Sequence, residues 1–111
     1  MLYLASTPEL CALEVRVHLD LPPELIPDDY VLMCVELEGL AIETVSKMPA
    51  DPAGFGNEWL KEQRTPLLRV PSVIIPESSN WLVNPLHPGA QCRIHSVREF
   101  AFDTRLWLPL R

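Results

Sequence analysis

Proline sets the terms on which this chain can fold. Twelve prolines in 111 residues fix backbone angles and withhold amide donors at many points, so long helices and long central strands are both disfavoured. The expectation is a set of short elements joined by fixed turns, which argues against a helical bundle. With 48% hydrophobic and 22% charged residues, the chain has a globular rather than a disordered composition. Its length supports one modest core, hence one domain over residues 1–111.

Within that frame one stretch is out of the ordinary. Glu77-Ser78-Ser79-Asn80-Trp81-Leu82-Val83-Asn84-Pro85-Leu86-His87-Pro88 gathers hydroxyls, amides, an indole, an imidazole and two prolines, where a plain core strand would carry branched apolar side chains. We read it as a loop or short helix that holds polar tips beside an aromatic face, a common setting for small polar ligands. The structural alternative is that Asn80 and Asn84 close Asx turns and Ser79 caps a turn.

Along the chain, Leu2 to Ala5 reads as a short strand. Ser6 or Thr7 then caps a helix, with Pro8 at its first position in the second register. Leu10, Leu13, Val17 and Leu21 recur at helical spacing and are expected to face the core. Glu14 falls at the margin of that stripe, where a carboxylate needs a hydrogen bond, an ion partner or an open cleft. His18, one turn on, offers the simplest partner, in a surface pair worth about 0.2–0.5 kcal/mol.

Pro22 and Pro23 stop the helix, and Tyr30 to Leu37 fits an inner strand. Met48 to Gly54 is a breaker-rich loop, followed by one or two helical turns over Asn57 to Arg64 that bury Trp59 and Leu60. Leu67–Val70 and Val73–Ile75 are expected as two brief strands, and Cys92–Val97 as another. Phe100, Phe102, Leu106, Trp107 and Leu108 give the tail apolar surface to pack on the sheet. The sum is a mixed α/β domain.

Several function classes are disfavoured. The net charge is −6 and no run of Lys or Arg occurs, so direct nucleic-acid binding is not expected. A basic protein partner suits the charge better, although mild acidity also serves solubility. Cys11, Cys34 and Cys92 lie far apart, which points to reduced thiols in the cytoplasm. With His18, His87 and His95 equally scattered, no metal site is expected. No signal peptide or membrane-length apolar run is apparent. GxGxxG, P-loop and GxSxG patterns are missing too.

Five segments together resemble the RES domain: Tyr3-Leu4-Ala5, Ala12 to His18, Leu68-Arg69-Val70-Pro71-Ser72, Ser79 to Pro85 with His87-Pro88, and Phe102-Asp103-Thr104-Arg105-Leu106. The resemblance implies a fold like that of ADP-ribosyltransferases. It also implies a toxin of a bacterial toxin–antitoxin pair that destroys NAD by breaking its nicotinamide–ribose bond, through hydrolysis or phosphorolysis. A cognate antitoxin would neutralise it by covering the site. Carried over residue by residue, Glu14 and Ser79 are the expected catalytic positions. Tyr3 would line the dinucleotide pocket, Asn80 and Asn84 would shape it, and His18 matches a further helix position.

One departure stands beside these matches. The family has a preceding segment ending in a Gly-Gly-Arg-Trp-Asn type of motif, whose arginine is expected to clamp the negative part of NAD. Here Tyr3 is the third residue, and Arg16, Arg69 and Arg93 do not match that arginine. The resemblance therefore implies an N-terminally shortened RES domain, covering two thirds or more of the family's length. Two readings stay open: an NAD-degrading toxin, and a non-catalytic RES-like chain that at most binds an antitoxin-like partner. Water or phosphate as acceptor, modification of a macromolecule, and homo-oligomer formation are open as well.

Overall fold

The computed structural model describes residues 2–107; Leu108, expected in the apolar tail, lies outside them. The elements run β1 (Leu2–Ala5), α1 (Pro8–His18), a 3-10 turn (Pro23–Leu25), β2 (Val31–Glu36), β3 (Ile42–Thr44), α2 (Pro52–Glu62), β4 (Leu67–Pro71), β5 (Ser79–Val83), β6 (Arg93–Glu99) and a second 3-10 turn (Thr104–Leu106). They form a mixed α/β fold. A four-stranded sheet has the order β1-β5-β4-β3, and β2 and β6 make a separate two-stranded ribbon.

Both helices start where capping chemistry dictates. Leu10 N donates to Thr7 Oγ1 at 3.1 Å, Gly54 N donates to Asp51 Oδ1 at 3.1 Å, and each cap is followed by proline at the first helical position. That pair of devices satisfies an otherwise orphan amide and presets the first backbone angle. Asp51-Pro52 is thus a helix start inside what reads as loop, and α2 begins five residues before Asn57. It ends at Gln63, whose φ of 51° closes the helix in the left-handed conformation more often left to glycine.

β3 and β4 pair in parallel, a geometry that requires a crossover. α2 supplies it and buries Trp59 completely against Leu68 and Leu82, with Val45, Phe55, Leu60 and Val70 around them. The buried indole is not left unsatisfied: Trp59 Nε1 donates to Thr65 Oγ1 at 3.0 Å, and Thr65 Oγ1 donates to Leu67 O at 2.6 Å.

β5 lies between β1 and β4, antiparallel to both. Glu77 to Pro88 therefore contributes a strand, not the loop or short helix expected. Its prolines fall outside Ser79–Val83, so they end the ladder without interrupting it. Val73–Ile75, read as a strand, is instead part of the connection from β4 to β5 and leaves Val73 largely exposed. Ser72 explains this: its hydroxyl accepts from Ile74 N and Ile75 N, both at 3.1 Å, so those amides serve a turn and not a ladder.

Three further expectations are corrected. In α1 only Leu10 is buried; Leu13, Val17 and Leu21 are all exposed, so the apolar stripe faces solvent for most of its length. β2 is no inner strand: among the described residues it pairs only with β6, and Val31, Met33, Ile94 and Val97 are exposed. The described part of the tail packs on the ribbon's end, with no layer of it on the four-stranded sheet. Phe102 meets Tyr30, Phe100 and Trp107 edge to face at 5.2, 5.0 and 5.7 Å, forming an aromatic cluster at the end of the ribbon. Nearby, the Arg105 fork on Asp103 holds that exposed carboxyl down to about 2, chiefly through the side-chain hydrogen bonds.

With the ribbon making its main contacts within itself, the radius of gyration is 15.6 Å, against about 13 Å for a compact chain of this length. The packed core is therefore concentrated under α2. Truncating Trp59→Ala should cost about 3–5 kcal/mol, whereas Val73→Ser should stay within about 0.5 kcal/mol; equilibrium urea unfolding of both variants measures the contrast.

Candidate functional site

The site is built from the face of β5 that carries Asn80. On a strand, neighbours point to opposite sides of the sheet, and the ladder aligns Ala5, Asn80 and Val70 across β1, β5 and β4. α1 lies beside this face and brings Glu14 to it. Asn80 Nδ2 donates to Glu14 Oε1 at 2.9 Å, and Ser72 Oγ donates to the same oxygen, also at 2.9 Å. Residues 58 and 66 positions apart thus converge on one carboxylate oxygen.

Ser72 is 2% exposed, and its bonding leaves it little freedom. A hydroxyl has one proton and two lone pairs; the lone pairs receive Ile74 N and Ile75 N. Its proton goes to Glu14. Both donors end on Oε1, and Oε2 accepts no hydrogen bond among the described residues. The carboxylate is held at one oxygen.

Beside it is a cavity of about 670 Å³ whose walls include Tyr3, Ala5, Glu14, His18 and Asn80. That volume lies in the range of small-molecule sites, roughly 300–1,000 Å³. Four of the six residues singled out in the sequence therefore meet at one cavity. Tyr3, 71% exposed, offers its ring to solvent. His18 stands on the wall without a hydrogen bond to Glu14 among the described residues, so the surface pair expected between them is not formed.

Ser79 and Asn84 are not brought to this cavity. Ser79 faces the other side of β5, where Arg69 Nε donates to its hydroxyl at 3.0 Å and the Arg69 guanidinium lies 5.2 Å from the centre of the Trp81 ring. Asn84 is 1% exposed. Its Nδ2 donates to Leu60 O at 3.2 Å and its Oδ1 accepts from Leu86 N at 3.1 Å, so it ties the turn after β5 to the end of α2. Sequence reasoning missed Ser72 as a site residue, although it closes the Leu68-Arg69-Val70-Pro71-Ser72 segment. Its place immediately after the proline that ends β4 was the available signal.

Among the described residues no group of three or more His, Cys, Asp or Glu could hold a metal ion, and no helix is long and apolar enough to cross a membrane. Cys11 shares the wall with Glu14. Burial, and secondarily the negative charge of Glu14, push its thiol above the usual value. Since the thiolate is the reactive form, Cys11 should alkylate more slowly than exposed Cys34 at pH 8, and Glu14→Gln should speed Cys11 alone. Peptide mass mapping of iodoacetamide-treated protein reads both rates.

Comparison with known proteins identifies the family. The RES domain model matches residues 1–105. The chain is 39% identical to the "Prs ADP-ribosylating toxin" of Sphingobium sp. (strain YBL2), over 96% of this chain and 74% of that protein. It is 37% identical to "Toxin Res" of Pseudomonas putida, over 96% and 79% of the two chains. A "Toxin Res" of Yersinia enterocolitica is 33% identical, over 95% and 76%. A family match across nearly the whole chain, together with relatives that share a third or more of its residues, means that this chain belongs to the RES domain family.

Proposed function

We propose that the chain is a cytoplasmic toxin that consumes NAD by breaking the bond between nicotinamide and ribose, with water or phosphate as acceptor. One observation carries the reading: a glutamate anchored by two donors on one oxygen lines a cavity of about 670 Å³. Departure of neutral nicotinamide leaves positive charge spread over the ribose ring. A fixed carboxylate beside that ring stabilises the charge more in the transition state than in the bound substrate. Attack by water or phosphate oxygen then forms the new bond to the ribose carbon and releases one proton.

The other residues have supporting parts. Asn80 and Ser72 hold the Glu14 carboxylate, so it need not reorganise as charge develops. Ser72 is a positioning residue for Glu14, a different part from the catalytic one that the resemblance gave to Ser79. Tyr3 supplies a flat face for a ring, and His18 a polar contact at the wall. A cognate antitoxin would silence the enzyme by covering this open cavity.

A second acceptor is favoured by one comparison, the 39% identical relative named as an ADP-ribosylating toxin: a protein side chain in place of water or phosphate. The same carboxylate serves either outcome, because the acceptor enters after the nicotinamide bond has loosened.

The purified chain should release nicotinamide from NAD, and Glu14→Gln should lower turnover by roughly 100-fold or more, the scale for removing a preorganised electrostatic group. Ser72→Ala and Asn80→Ala should each lower it less, by roughly tenfold for one lost charge-assisted hydrogen bond. Following adenylate-labelled NAD distinguishes free ADP-ribose, its phosphate ester, and label retained on protein. Turnover no faster than that of Glu14→Gln would leave the non-catalytic, partner-binding reading in its place.

A further inference from the structure

A second cavity adjoins the first. It measures about 530 Å³ and lies between β1, the start of α1 and the β2–β6 ribbon; Tyr3, Leu4, Ala5 and Cys11 line both spaces. Its remaining walls include Ser6, Trp81, Ser96 and Arg98. The charge of the two spaces is opposite. Among the described residues Glu14 is the sole carboxylate on the first, while the second has no carboxylate and one guanidinium, Arg98. The wall is largely apolar, with Leu32, Met33, Val35 and Leu37 along it, and Arg98 is its one charged side chain among the described residues.

Resting on the NAD reading above, we infer that this second cavity is the subsite for the adenosine diphosphate half of the dinucleotide, with Arg98 as its diphosphate contact. NAD carries its positive charge on the nicotinamide ring and its negative charge on the diphosphate, the same separation that the two cavities present. A guanidinium fits phosphate oxygens through paired N–H donors. Arg98 is exposed on β6; its Nη1 donates to Glu99 O at 3.2 Å, and its Nε and Nη2 donate to nothing among the described residues. Donors for a phosphate are therefore at hand.

The rest of the wall suits a nucleoside. Trp81 is held by its Nε1 bond to Ser6 Oγ at 3.0 Å and by the Arg69 guanidinium, so its ring is a fixed face for a purine. β1 separates the two cavities as an edge strand. On its free side, alternate residues turn their backbone N–H and C=O away from β5, which gives a ligand crossing that edge polar groups to meet. A dinucleotide laid over β1 would place the ribose next to nicotinamide at Glu14 and the diphosphate at Arg98.

Calorimetric titration with ADP-ribose, which lacks nicotinamide, tests the subsite. Arg98→Gln should weaken binding roughly tenfold, as expected for one charge-assisted contact, and raise KM for NAD by a similar factor with kcat preserved. Arg93→Gln removes the same charge from the same strand but away from the cavity, and should leave both within about twofold. Unchanged affinity in Arg98→Gln, an equal loss in Arg93→Gln, or no binding by the unaltered chain would each overturn the assignment. Arg98-dependent ADP-ribose binding without NAD turnover would sink the reaction and keep the subsite. Turnover whose KM ignores Arg98 would do the reverse.

Discussion

The register of β5 between β1 and β4 is the constraint on which both the core and the site depend. It joins residues 2–5 to residues 79–83, and those in turn to 67–71. Because side chains alternate, a slip of one residue would turn Asn80 away from Glu14 and bring Ser79 and Trp81 to α1. Two contacts resist that slip. Leu82 must sit with Leu68 under Trp59, and Asn84, buried with its amide on Leu60 O, pins the end of the strand. Packing beneath α2 thereby sets the orientation of a polar group several residues away.

Local chemistry made part of this fold legible. β1, the Thr7-Pro8 helix start, and the burial of Trp59 all follow from residue type and local pattern, although only the helix cap has its partner within a few residues. The failures share a cause. Tyr30–Leu37 is as apolar as an inner strand, yet whether a strand is inner depends on what lies beside it, and among the described residues β2 has only β6. The stripe of α1 has helical spacing, but a stripe predicts burial only where another element covers it. Val73–Ile75 has strand composition and a different fate, because the Ser72 hydroxyl captures two of its amides. Proline placement misled in the other direction: Pro76 and Pro85 flank β5 and delimit it.

The candidate site divides along similar lines. Tyr3, Glu14, His18 and Asn80 come together at one cavity because each lies on β1, α1 or the face of β5 turned toward α1. Ser79 and Asn80 are neighbours in sequence, and motif matching treats neighbours as companions, whereas strand geometry separates them by the thickness of a sheet. Asn84 turned out to be an Asx turn with a buried anchor, the plain structural role held open for it. Ser72 escaped notice because its place after Pro71 marks the end of a strand without showing where the hydroxyl will point. Only the two amides that occupy its lone pairs reveal that its proton is committed to Glu14.

Glu14 rides on the main sheet, whereas the ribbon is a separate layer that needs its own tether if the two are to act on one molecule. The tether runs through α1. Arg16, two residues after Glu14, lies 4.3 Å over Trp107 and donates from Nε to Leu106 O at 3.2 Å. Trp107 packs on Phe102, and Phe102 on both Tyr30 and Phe100, the residues that flank the paired ends of β2 and β6. Phe100 N donates to Tyr30 O at 3.0 Å, closing that end of the ladder. Edge-to-face pairs contribute about 0.5–1.5 kcal/mol each beyond area burial, and the three that meet at Phe102 tie the ribbon to Trp107 and, through it, to Arg16 on α1. The same helix that carries the carboxylate therefore also fixes the ribbon, and a displacement of α1 would be felt on both sides of β1.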